Sequence, residues 1–265
     1  MRNYSSSFRG FGVLSDTTAV IVAAGRGVRM GPRGKLTPKG LIEIGGHRLV
    51  ERSVGLLHAA GVGRVRIVTG HLNEQYEAAF AGRAGVELVH NPHFAETGSL
   101  RSLMTGIEGL AGNLIILESD IVYEARALDP MVLGDSALLI SGETRATDEV
   151  YIWGRSGEGR RPAFVTMSKD KNHLGEPHIG ELVGITSVSG GNVPVLLDAV
   201  QSLLAEDPRS DYEPGIIRMA QAVELPCHLI SDLAWMEIDD EAMLSRAREK
   251  VWPRIEANDA MRLAG

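Results

Sequence analysis

Short apolar, β-branched runs recur along the chain, separated in its first half by longer amphipathic stretches. The runs AVIVAA (19–24), RVRIVTG (64–70), VELVHN (86–91), LIILESD (114–120), ALLISGE (137–143), VYIWG (150–154), AFVTMSK (163–169) and ELVGITSVS (181–189) each predict a strand. A helix is predicted over 48–60, where Leu49, Val50, Val54, Leu56 and Leu57 gather toward one face and Gly61 follows the end. Further helices are predicted over 73–81, 100–110, 193–205 and 215–222. The alternation in the first half is that of βαβ units feeding a mostly parallel sheet. Between Ala137 and Val188 the strands follow one another without long helices, so a small antiparallel sub-sheet is expected beside the parallel part. The segment SKDKNHLGEP (168–177) reads as a polar loop, and a last helix is predicted over 240–252, capped by Asp240 and stopped by Pro253.

With 265 residues, 44% of them hydrophobic, the chain can bury a full core. No internal repeat or Pro-, Gly- and Ser-rich linker divides it. Residues 1–16 therefore read as a flexible N-terminal extension and 17–265 as one α/β domain. A net charge of -7 argues against a nucleic-acid or membrane-surface binder, either of which needs a basic face. The single cysteine, Cys227, excludes a disulfide framework and reads as a small buried hydrophobe. No run approaches the roughly 18 apolar residues of a membrane span, and MRNYSSSFRGFG has no apolar h-region, so a cytoplasmic protein is expected.

Chemistry concentrates in TAVIVAAGRGVRMGPRGKLTPKGL (18–41). An apolar run ending in small residues delivers a loop to the edge of a sheet, where ligands of α/β proteins bind. Gly25 and Gly27 permit a tight turn that presents backbone N–H groups to an anion, and Arg26, Arg29, Lys35 and Lys39 add positive charge. Two familiar phosphate motifs fail on spacing. Met30 stands where a dinucleotide fingerprint needs its third glycine, and Gly34-Lys35 is followed by Leu36 rather than the Ser or Thr of a Walker loop.

Two acidic sites complement this loop. LIILESD ends a strongly apolar strand with Glu118 and Asp120 on one face, where hard oxygen ligands suit Mg²⁺; a solvated loop acid or an N-cap is the competing reading. Trp235-Met236-Glu237-Ile238-Asp239-Asp240 places Glu237 and Asp239 on one face of a short strand, with Asp240 set to cap the last helix. A basic phosphate loop and two separated acids make up the parts needed for metal-assisted phosphoryl or nucleotidyl transfer. None of the eight histidines falls in a nucleophile or zinc motif.

Ala23-Ala24-Gly25-x-Gly27-x-Arg29-Met30 followed by Thr37-Pro38-Lys39-x-Leu41 resembles the signature of the nucleotidyltransferases that activate sugar phosphates, phosphocholine and phosphonates. The resemblance extends over nearly the whole chain. It is strongest to cytidylyltransferases acting on phosphonates, through Asn91-Pro92-His93-Phe94, Thr97-Gly98-Ser99, Glu118-Ser119-Asp120-Ile121-Val122-Tyr123-Glu124 and the ending from Trp235 to Ile255. Arg101 departs from it, standing where an aromatic or apolar residue is expected.

The resemblance implies a three-layer Rossmann-like fold and Mg²⁺ held by Asp120 and Asp239, with Glu237 left open as a further ligand. It implies that Ala23, Ala24, Gly25, Arg26 and Gly27 cradle a triphosphate, that Arg29 holds its phosphates, and that Lys39 neutralises the α-phosphate and the attacking oxygen. Thr97, Gly98 and Ser99 are implied to line the base and ribose pocket, and Lys169 and Glu181 to grip the acceptor. Lys169 also reads as one more lysine of an exposed loop. The activity implied is transfer of CMP from CTP to a phosphonate, with phosphocholine and sugar 1-phosphates as alternative acceptors. An aromatic cage for a quaternary ammonium is not evident with 5% aromatic residues. A catalytically silent nucleotide-binding subunit is the alternative of another class, and a symmetric homodimer is the expected assembly.

Overall fold

The apolar run ahead of the glycine-rich loop forms strand β1 (Leu14–Ala23), with a parallel neighbour on each side. The computed structural model describes residues 14–144, 149–157 and 160–264, so the extension expected over 1–16 lies mostly outside the described residues. After β1 come α1 (Pro32–Leu36), the two-residue strands β2 (Glu43–Ile44) and β3 (His47–Arg48), α2 (Leu49–Ala59), β4 (Val62–Thr69), α3 (Asn73–Phe80), β5 (Val86–His90), α4 (Ser99–Ile107) and β6 (Asn113–Glu118). The second half contributes β7 (Ile121–Tyr123), β8 (Ala137–Ser141), β9 (Tyr151–Gly157), β10 (Arg160–Ser168), β11 (Gly180–Val188), α5 (Val193–Glu206), α6 (Glu213–Ala220), β12 (Cys227–Ile230), β13 (Trp235–Glu237), α7 (Glu241–Arg246) and α8 (Trp252–Ala264). No helix among the described residues is long and apolar enough to cross a membrane.

The main sheet runs β10-β9-β11-β6-β1-β4-β5, with β8 paired to β11 and β12 to β8. β6, β1, β4 and β5 are parallel, as the alternation of strands and helices requires, while β11 enters antiparallel to β6 and begins the antiparallel part with β8, β9 and β10. β12 lies parallel to β8, a long-range pairing that no local pattern signals. Alternation along β1 builds the layers: Ala19, Ile21 and Ala23 join the apolar cluster of α2 and α3, and Val20 joins that of α4, α5 and α6. Ile21 and Val20, fully buried, contribute about 1.5–3 kcal/mol each, and the alanines less.

A third cluster sets the site. Val122 and Met236, from the antiparallel pair β7–β13, pack with Met30, Ile42, Leu49 and the α7–α8 residues Leu244, Val251, Trp252 and Ile255. Here the structure corrects one expectation. Pro253 does not stop the last helix; α7 passes through a π-helical turn, Ala247–Val251, into α8, which begins at Trp252. Inside a continuous helix a proline removes one backbone hydrogen bond and crowds the preceding turn, and the irregular π turn lies directly ahead of Pro253, where that disturbance falls. Arg52 on α2 fastens α8 to this layer, donating to Tyr123 O and, at 2.8 Å, to Asp259.

Candidate active site

Four residues from three separate stretches of the sequence meet at the carboxyl end of β1. Pairing of Met236 with Val122 and of Glu237 with Ile121 continues into a bond from Ile238 N–H to Asp120 O at 2.9 Å, which sets Asp239 beside Asp120. Lys39, from the turn after Pro38, reaches both: its Nζ donates to Asp120 Oδ2 at 2.8 Å and to Asp239 Oδ1. Arg29 Nη2 lies 2.7 Å from Asp239 Oδ2. Burial alone would lower the Lys39 pKa, but Asp120 and Asp239 outweigh it and hold the ammonium above its ordinary range, so it is charged at neutral pH.

The loop is shaped around Lys39. Gly27 adopts a left-handed φ of 58°, and a Cβ there would sit 3.2 Å from Lys39 Cγ, so the glycine lets the backbone lie directly on the lysine stem. Gly40 is equally confined, since its Cβ would fall 2.6 Å from the Tyr76 hydroxyl.

These groups line a cavity of about 270 Å³ together with Ala23, Gly25, Ser99, Glu118, Lys169 and Glu237. Oxygens of Glu118, Asp120 and Glu237 all lie within 4.8 Å of one another. Burial, followed by the neighbouring Asp120, pushes the Glu118 carboxyl up, and burial, followed by Glu118 and Asp120, does the same to Glu237. Three crowded carboxylates require protons or a cation, and an all-oxygen donor set matches a hard divalent ion such as Mg²⁺. Glu237 belongs to this trio; Asp120 is shared between it and Lys39, and Asp239, which the resemblance implies as a second metal ligand, lies beside Asp120 with its oxygens on Lys39 and Arg29.

The Thr97-Gly98-Ser99 turn reaches the cavity through Ser99, whose Oγ accepts from Tyr212 N–H at 2.9 Å and donates to Asp211 Oδ1 at 3.2 Å. Gly98 packs on the 209–210 backbone, where a Cβ would come within 2.2 Å of Ser210 O. Thr97 donates to His93 O at 2.8 Å, and neither it, Gly98 nor Arg101 is part of the cavity wall. Ala24 turns its carbonyl to His71 N–H at 3.1 Å, while Arg26 lines an adjoining cavity with Lys35 and His71. Lys169 reaches the main cavity from the start of the polar loop. Glu181 does not; it is 2% exposed and accepts from Thr144 N–H at 2.8 Å.

Four wall residues escaped the sequence reading: Tyr76, Asp211, Tyr212 and Glu213. Tyr212 donates its hydroxyl to Glu118, and Tyr76 stands over Gly40. Their sequence signal is that of an ordinary helix face and a polar loop, and only the docking of 208–212 on Ser99 brings the loop to the site.

Residues 19–137 match the model of the MobA-like NTP transferase domain. The chain is similar to the 2-aminoethylphosphonate cytidylyltransferase of Lancefieldella rimae, 37% identical over 107 residues that make up 40% of this chain and 44% of that protein. It is also similar to the CMP-5'-(3-aminopropyl)phosphonate synthase of Streptomyces rubellomurinus, 32% identical over 126 residues, 46% of this chain and 20% of that protein. The matched stretches therefore span less than half the length of either relative. The fold is similar to that of CTP:phosphocholine cytidylyltransferase from Streptococcus pneumoniae, with a TM-score of 0.73 at 18% identity, covering 88% of this chain and 98% of that one. The nucleotidyltransferase resemblance in the sequence is thus borne out: residues 19–137 match the MobA-like NTP transferase domain, and the chain is similar in fold to a nucleotidyltransferase.

Proposed function

We propose that the protein is a Mg²⁺-dependent cytidylyltransferase in which a phosphonate oxygen attacks the α-phosphorus of CTP. The observation that carries this reading is Lys39, a largely buried ammonium held between Asp120 and Asp239 beneath a glycine loop, beside three converging carboxylates. The similarity to two proteins named for phosphonate substrates supports the choice of acceptor.

In the reaction a new P–O bond forms between the phosphonate oxygen and the α-phosphorus as the bond to the β-phosphate breaks, and pyrophosphate leaves. The Gly25–Gly27 backbone and Arg29 hold the triphosphate. Lys39 stands where negative charge accumulates on the α-phosphate and the incoming oxygen, and such a preorganised cation lowers the barrier because it need not reorient. Asp120, with Glu118 and Glu237, would hold Mg²⁺, which when bound supplies charge neutralisation on phosphate oxygens. Asp239 orients Lys39 and Arg29 through its two oxygens. The nucleophile is already ionised at neutral pH, so no side chain has to remove a proton from it. Ser99, fixed by Tyr212 and Asp211, contacts the nucleoside, with Thr97 and Gly98 shaping the turn that presents it.

Pyrophosphate release with CTP, Mg²⁺ and a phosphonate tests the proposal. Product above background is expected. Nucleotide binding without product from any phosphonate, phosphocholine or sugar phosphate would instead indicate a silent nucleotide-binding module.

A further inference from the structure

Between β4 and α3 the backbone takes a strained turn. Leu72 has φ 53° and ψ 40°, and it is the one non-glycine residue with a positive φ among the described residues. A leucine is disfavoured in that left-handed conformation, and residues held in it by their surroundings cluster at functional sites. His71, immediately before it, is turned back onto the glycine-rich loop. Its N–H donates to Ala24 O at 3.1 Å, where the loop begins, and its ring Nε2 lies 2.8 Å from Gly34 O in α1, where the loop ends. A carbonyl oxygen only accepts, so Nε2 is the ring nitrogen that carries the proton.

The Gly34 carbonyl needs a side-chain donor. In a helix it would accept from the N–H of residue 38, but that residue is Pro38, which has none. Gly34 is buried, and a buried carbonyl left without a donor is costly. The His71 ring closes this gap, and Gln75 Nε2 does the same for Leu36 O at 2.8 Å. Gly34 in turn lies on Gly27: a Cβ at Gly34 would fall 2.3 Å from Gly27 O. Gly27 rests on the stem of Lys39 and lines the main cavity. His71 itself lines only the adjoining cavity, with Arg26 and Lys35.

We propose that His71 is the positioning residue of the glycine-rich loop: by closing the Gly34 carbonyl orphaned by Pro38, it holds Gly25, Gly27 and Arg29 in the conformation that takes the β- and γ-phosphates of the nucleotide. This rests on the nucleotide reading above and adds to it a residue that touches no substrate. Lys39 keeps Asp120 and Asp239 whether or not His71 is present, so the effect falls on triphosphate binding and not on the chemistry at the α-phosphate.

The test compares His71→Gln with His71→Asn. A glutamine amide N–H comes close to the place of imidazole Nε2, whereas asparagine is one methylene too short to reach Gly34 O. By calorimetry the Asn variant should bind CTP about tenfold more weakly, the order of one hydrogen bond left unmade, and the Gln variant within about threefold of wild type. Both should bind CMP, which has no β- or γ-phosphate, within about threefold of wild type, and kcat and the acceptor KM should also stay within about threefold. Arg26, Arg29, Arg33 and Lys35 give trypsin sites in the loop; the ligand-free Asn variant should be cut there several times faster than wild type or the Gln variant. Equal losses in the two variants, equal weakening of CTP and CMP, or unchanged CTP binding in the Asn variant overturns the assignment. Nitrogen-15 NMR of wild type gives a reading that does not depend on a variant folding: the neutral His71 ring should carry its proton on Nε2, and a proton on Nδ1 overturns the proposal. A wild-type protein that does not bind CTP overturns the nucleotide reading itself, whereas wild-type binding that both variants retain overturns only the role of His71.

Discussion

Replacing Lys39 by alanine removes the cation on which the site is built. Its side chain is 16% exposed, and its partners Asp120 and Asp239 are 16% and 3% exposed. Breaking a buried ion pair costs about 3–5 kcal/mol, but Asp239 keeps Arg29 and Asp120 keeps some solvent, so a loss of about 1–3 kcal/mol is expected. For a domain of this size that corresponds to a fall in Tm of about 2–10 °C. The kinetic effect should be larger. Losing one preorganised transition-state donor costs about a hundredfold to a thousandfold in kcat, while CTP, still held by Arg29 and the glycine loop, should bind with little change. Pyrophosphate release at saturating substrates, a thermal melt and calorimetric titration with CTP separate the three effects. A variant that turns over within threefold of wild type removes Lys39 from the mechanism, and one that loses CTP binding altogether reduces it to a binding residue.

Gly98→Ala forces a Cβ to within 2.2 Å of Ser210 O and 2.3 Å of Arg209 O, so the 97–99 turn must separate from the 208–212 loop; CTP affinity, measured calorimetrically, should fall about tenfold as Ser99 loses its fixed position. Gly184→Ala introduces a side chain at a φ of +77° and places it 2.5 Å from Glu118 Oε2; a stability loss of about 1–3 kcal/mol and weaker Mg²⁺ binding should appear together in melts with and without the ion. Glu118 and Glu237 titrate above the ordinary carboxylate value of 4.5 in the fold, so the folded state keeps protons that the unfolded chain releases. The contribution of these two groups to the stability of the metal-free protein should therefore fall as pH rises above 4.5, and saturating Mg²⁺ should flatten that slope by taking the place of the protons. A metal-independent slope would contradict the assignment of the trio.

What could be read from the sequence was local. Gly25, Gly27, Arg29 and Lys39 lie within fifteen residues of one another, and Asp120 announces itself by ending a run that is otherwise apolar. Asp239 was readable because a short alternating strand precedes a capped helix, and the register of β13 on β7 then brings it to Asp120. Glu181 shows the limit. Alternation gives the face of a strand but not its neighbour, and β11 pairs with β6 only from Ile185 onward, so Glu181 lies opposite Ser141 of β8, away from the cavity. Tyr76 looks like a core residue because it is one, packed beneath the site with only its hydroxyl near Gly40. Glu213 carries no motif; its position follows from α6 packing on α5, which in turn packs on α4, a tertiary arrangement with no short-range signature.

The most direct measurement is pyrophosphate release from each of the four nucleoside triphosphates, with Mg²⁺, against 2-aminoethylphosphonate, hydroxyethylphosphonate, phosphocholine and glucose 1-phosphate. The highest kcat/KM is expected for CTP with 2-aminoethylphosphonate, and that activity should disappear on chelation of the metal. Higher activity with phosphocholine or the sugar phosphate, with another nucleotide, or without a divalent cation would contradict the proposed reaction.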